Sequence, residues 1–187
     1  MGNRFTFPPY HLYDDSHVLH MEHLARKYAR KVGANWDTVL AVEASVDADL
    51  LPLLQAAPVD QLEVLVIHGL SEADGDRSDR VFTPQGVANL TLVLEHNTTL
   101  KAFALVRNHL DVPKAMILCE SLRRLPALEV VSLWDNQMDR ETAEFVLSEL
   151  KQIPTLWEVN LAGNLFLNGP RLAERLQEEG VLFRLRW

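Results

Sequence analysis

A 28-residue period constrains this chain more than any other feature. Segments beginning at Leu100, Leu128 and Leu156 share one pattern, each starting 28 residues after the last. Apolar residues fall at the first, fourth, sixth and eleventh places, and asparagine at the ninth. The sets are Leu100/Phe103/Leu105/Asn108/Leu110, Leu128/Val131/Leu133/Asn136/Met138 and Leu156/Val159/Leu161/Asn164/Phe166. A unit of this length cannot bury its apolar edge alone, so neighbouring units must stack. The fourth and sixth places share one face of an extended strand, because side chains alternate with period two. The asparagine suits the turn leaving the strand, where its amide can satisfy backbone groups of the next coil.

Weaker copies extend the array. Leu62/Leu65/Ile67 fits, with Leu70 in the asparagine's place, and lies 38 residues before Leu100. The excess over one period is the polar stretch Ser71 to Arg80, expected to loop out. Upstream, Trp36/Val39/Ala41/Val46 matches 26 residues before Leu62, and downstream Leu182/Leu185/Trp187 follows Leu156 by 26. Six parallel strands are therefore expected, the outer two degenerate. Helical patterns lie between them at Asp47–Gln55, Pro84–Glu95, Pro113–Arg124, Asp139–Lys151 and Gly169–Glu179. Pro126 and Pro154 cannot continue a helix and mark exits from two of these. Ahead of the array, Val18, Met21, Ala25, Tyr28 and Val32 form an apolar stripe with Leu24 beside it, and Arg30 and Lys31 favour a helix C-terminus. This amphipathic helix is expected to lid the exposed end of the first repeat, preceded by an extended arm over residues 1–13.

The pattern L-x-x-L-x-L-x-x-N-x-L resembles the leucine-rich-repeat family, and the 28-residue period resembles its ribonuclease-inhibitor-like subclass. The resemblance implies an α/β fold: a short solenoid, a right-handed β/α superhelix of about six parallel strands, with helices on the convex side and an N-terminal capping helix. One globular unit is expected, with residues 1–34 as arm and capping helix. Residues 35–187 then form the repeat domain, with a loop inserted at 71–80. The subclass includes inhibitors, GTPase-activating proteins and innate sensors, and bacterial effectors also use such repeats. Leu94 to Leu100 is similar to the helix-to-strand joint of tropomodulin-like repeats. The function implied is non-enzymatic protein–protein interaction through the concave sheet face.

With the fourth and sixth places inward, the third, fifth and seventh face the concave side. The third reads Thr38, Val64, Ala102, Val130, Glu158; the fifth Leu40, Val66, Ala104, Ser132, Asn160; the seventh Val42, His68, Val106, Trp134, Ala162. Arg184 and Arg186 extend the face to the sixth strand. Its first half is apolar and its second half polar, ending basic. An apolar sheet face needs a cover: the N-terminal arm, an external partner, or an adapted sheet without one. The candidate partner-binding set is Trp134, Arg107, Asp135, Val106, His68, Val66, Ser132, Asn160 and Glu158. Trp134 leads it because tryptophan and arginine dominate interface hot spots; otherwise it folds over Val106 and Ala162 and shields the sheet. Alternatives are a GTPase activator using Arg107 in trans and a self-association module burying the apolar half-face.

Composition narrows the rest. A formal net charge of −8 opposes general nucleic-acid binding, which needs a basic surface. One cysteine, Cys119, excludes an internal disulfide; with no apolar leader, a cytoplasmic setting is expected. Gly2 meets the loose N-myristoylation pattern, which alone gives only marginal membrane binding. No metal or other cofactor is expected. His17, His20 and His23 diverge around a helix, and no histidine in register accompanies Cys119 as a base. No protein partner is identifiable, and the chain is expected to be a monomer or weak homo-oligomer.

Overall fold

The computed structural model describes residues 15–43, 59–69, 83–165, 174, 177–178 and 182–186. The expected arm, the Asp47–Gln55 helix and the Ser71–Arg80 insertion lie outside these residues. Among them, six strands form one open parallel sheet in sequential order: β1 (Val39–Glu43), β2 (Val64–His68), β3 (Ala102–Val106), β4 (Val130–Ser132), β5 (Glu158–Asn160) and β6 (Arg184–Arg186). Four helices have defined bounds: α1 (Asp15–Val32), α2 (Pro84–Leu94), α3 (Val112–Leu122) and α4 (Arg140–Leu150). None of the described helices is long and apolar enough to cross a membrane.

The 28-residue spacing appears directly in the pairing. Ala102, Val130 and Glu158 are successive partners, as are Phe103, Val131 and Val159. Fourth- and sixth-place residues Leu65, Ile67, Phe103, Leu105, Val131, Leu133, Val159 and Leu161 enter a core shared with buried residues of α2, α3 and α4. Each fully buried Leu or Val contributes about 1.5–3 kcal/mol. Each of these helices starts on a side-chain cap that takes an otherwise orphaned N–H. Thr83 accepts from Gly86 N, Asp111 from Lys114 N and Asp139 from Thr142 N. Past the strands, the asparagines tie successive strand exits together. Asn136 donates to the Leu105 carbonyl (2.7 Å) and accepts from Asn108 N (2.7 Å). Asn164 repeats this one coil on, donating to Leu133 O (2.9 Å) and accepting from Asn136 N and Met138 N.

Two expectations are corrected. The first repeat is one residue out of register: Leu40, not Val39, pairs with Leu65, so Leu40 and Val42 enter the helix-side core while Ala41 faces the other way. Val39 to Val42 is apolar throughout, so alternation could not choose between faces, and a one-residue slip turns every side chain over. The second correction concerns α1. Rather than lidding the end of the stack, it lies on the face of the sheet opposite α2–α4, in contact with β1, β2 and β3. Its Leu24, Ala25, Tyr28, Ala29 and Val32 form a second core with Ala41, Val64, Val66, Ala102, Ala104, Val106 and Val130. The small alanines on both sides let the helix approach the strands closely. Over β1 to β3 the described sheet is thus covered on both faces.

Candidate functional site

The face expected to be open is largely shut. Val66, Val106 and Ser132 have no exposed surface, and His68, Glu158 and Asn160 are also buried. As partner-binding residues these six are corrected: α1 occupies the space a partner would need. Val66 and Val106 lie in the second core with α1. His68 donates from Nδ1 to the Gly69 carbonyl (2.6 Å). Ser132 and Asn160 lie beside the Tyr28 hydroxyl, and Asn160 Nδ2 donates to Ser132 Oγ (3.2 Å). Burial raises the Tyr28 phenol above its ordinary value, with these two polar side chains pulling the other way. Glu158 pairs with Lys31 of α1 and lies 2.9 Å from Arg186 Nε.

Trp134, Arg107 and Asp135 do stay at the surface, together, just past β3 and β4. Arg107 Nε donates to Asp135 Oδ2 at 2.7 Å, and its guanidinium carbon sits 5.4 Å from the Trp134 ring centroid. The guanidinium is therefore oriented from two directions, by a carboxylate at its edge and an aromatic face beneath it. Trp134 is half-buried and packs against the second core, so part of the indole does shield the sheet, as one reading expected. A Cβ placed on Gly163 would come within 3.0 Å of Trp134 Nε1, so the glycine seats the other side of the indole.

The backbone beneath this ridge is unusual. Arg107 (φ 59°) and Asp135 (φ 55°) are left-handed, as are His109 (φ 50°) and Gln137 (φ 55°) two places on. Each pair brackets a laddered asparagine, so the turn recurs with the 28-residue sequence period. Its cost does not have to be met by bulky residues. At the eighth place the next coil has Gly163 (φ 77°), which takes this conformation freely. Two L-residues there cost about 1–2 kcal/mol each. Their exposed ion pair returns at most about 1 kcal/mol. Stability alone does not account for Arg107 and Asp135. Beside the ridge, a hollow of about 260 Å³ opens between His109, Gln137 and the cap residues Asp111 and Asp139. Backbone and side-chain hydrogen bonds from Thr142 hold the Asp139 carboxyl below its ordinary value.

Sequence reasoning did not foresee Tyr28, Lys27 or Lys31 beside the polar end of this face. The signal was present, because an amphipathic helix and an apolar sheet face each lacked a cover. The left-handed ridge also had a marker, in the register of Gly163 with Asp135 and Arg107. Cys119 has the packing role expected of it: it is fully buried, and burial pushes its thiol up to about 12. Among the described residues no three His, Cys, Asp or Glu side chains gather as a metal site. No family model and no curated protein matches the chain at a significant level.

Proposed function

We propose that this chain is a short leucine-rich-repeat solenoid of the ribonuclease-inhibitor-like subclass, acting as a non-enzymatic protein-interaction module in a reducing, cytoplasmic setting. Its partner seats on the ridge of Trp134, Arg107 and Asp135, with Gln137 and the adjoining hollow at its rim. The broad concave face is not the docking surface, because α1 fills its apolar half.

One observation carries this reading: strained, non-glycine backbone at Arg107 and Asp135 presents a guanidinium fixed over a half-exposed indole. An aromatic and an arginine whose conformations are already set lose little entropy on binding. That combination is over-represented among the few residues that dominate interface energies. Arg107 is tied by its Nε to Asp135, which suits a docking contact better than a mobile catalytic finger.

The test is affinity capture from native cells with the parent chain and a Trp134→Ala/Arg107→Ala variant, alongside thermal melting of both. The reading expects a protein held by the parent and lost by the variant, at closely similar melting temperatures. Equal capture by both proteins would overturn it.

A further inference from the structure

The chain carries a net charge of −8, yet four cations converge at one end of the α1 face. Lys27 and Lys31 come from the last turns of α1, and Arg184 and Arg186 from the edge strand β6. Among the described residues they gather at a single carboxylate, Glu158, which is all but buried. Lys31 Nζ and Arg186 Nε both lie within ion-pair distance of its Oε1. Arg184 is the register partner of Glu158 across β5–β6 and is exposed. Lys27 lies close enough to feel the charges of Lys31, Arg186 and Glu158.

One carboxylate cannot neutralise four cations. Among the described residues neither Lys27 nor Arg184 has a carboxylate within ion-pair distance. Arg186 Nε is shut from solvent and makes no hydrogen bond. At 2.9 Å it has a charge contact with Glu158, but the N–H is not directed at the oxygen. The cluster therefore contains a misaligned buried donor and an excess of positive charge. Crowding of this kind is unfavourable by itself, and burial with the neighbouring cations lowers the Lys27 ammonium from its ordinary value. Strand pairing holds the two arginines, and the second core holds the helix bearing the lysines, so the charges cannot simply separate.

We propose that this cluster at the C-terminal turns of α1 and strand β6 binds a phosphate-type oxyanion through Lys27, Arg184 and Arg186, with Glu158 acting as the template that positions Lys31 and Arg186. A tetrahedral dianion suits the site better than a carboxylate. It carries enough charge to offset the surplus and enough acceptor oxygens for two guanidinium groups and an ammonium at once. The inference does not depend on the ridge at Trp134, which lies past the other end of β4.

The source of the phosphate is either a small phosphorylated molecule or a phosphorylated side chain. Calorimetric titration of the full chain with pyrophosphate and with a short phosphoserine peptide separates the two. A Lys27→Gln/Arg184→Gln variant provides the control, since neither substituted side chain is fully buried or ion-paired among the described residues. At least one probe is expected to bind the parent, and the variant to bind it weaker by on the order of tenfold or more. The tighter probe then identifies the source. Removing two like charges is expected to leave the ligand-free melting temperature unchanged or to raise it. Absence of binding by both probes at millimolar concentration, or equal binding by the variant, overturns the site.

Discussion

Arg107 and Asp135 show how a side chain can be kept at a backbone cost. At a left-handed position glycine is the cheaper residue, as Gly163 demonstrates 28 residues after Asp135. Arg107→Gly relieves strain while removing an exposed ion pair and a ring contact. Its unfolding free energy is therefore expected to stay within about 1 kcal/mol of the parent by chemical denaturation. A loss well beyond that would make Arg107 a structural residue. Asn136 is the opposite case, because its amide serves two buried backbone groups of the preceding strand and its exit, Leu105 O and Asn108 N. Asn136→Ala strands both, and a loss of about 2–4 kcal/mol is expected in the same assay. Glu63 adds a pH dependence. Hydrogen bonds from Lys101 and Thr38 hold its carboxyl below the ordinary value near 4.5. Its contribution is therefore complete above that value and lost as pH falls through the depressed one. Acid titration of Glu63→Gln against the parent is expected to show the stability difference shrinking below about pH 4.5.

At the scale of elements, α1 matters most, and its role was only half legible. The stripe of Ala25, Tyr28 and Val32 identified an amphipathic helix, and the strand pattern identified an apolar sheet face. Periodicity says that each surface needs a cover, but not that they cover one another. The polar end of the contact is specific: the Tyr28 hydroxyl lies beside Ser132 and Asn160. Tyr28→Phe keeps the ring but takes the hydroxyl away from these buried groups, so a loss of about 1–2 kcal/mol is expected. An unchanged melting temperature would mean that the hydroxyl is not held. Other elements were read more fully. The start of α4 at Asp139, the prolines after α3 and α4, and the inward fourth and sixth places of β2 to β5 all follow from local chemistry. β1 escaped because four consecutive apolar residues carry no alternation.

For the whole molecule, the sheet is closed on both faces over β1 to β3, which directs recognition to its margins. Trp134 and Arg107 lie at the strand exits, and the cation cluster lies at the β6 edge. The net charge of −8 concealed that cluster, because it joins residues more than 150 positions apart in the chain, Lys27 and Arg184 among them. Charge counting sees totals, whereas the parallel register brings Arg184 beside Glu158. The closed face is the claim on which the remaining assignments depend. The lone native cysteine makes it measurable, since Cys119 is buried with its thiol pushed up to about 12 and supplies a silent background. Introduce Val66→Cys and follow its reaction with a thiol reagent under native conditions. With α1 seated on β2, the new thiol reacts only as the chain unfolds, in step with Cys119. Labelling of folded protein at the rate of a free thiol would contradict the account and return the sheet face to an outside partner.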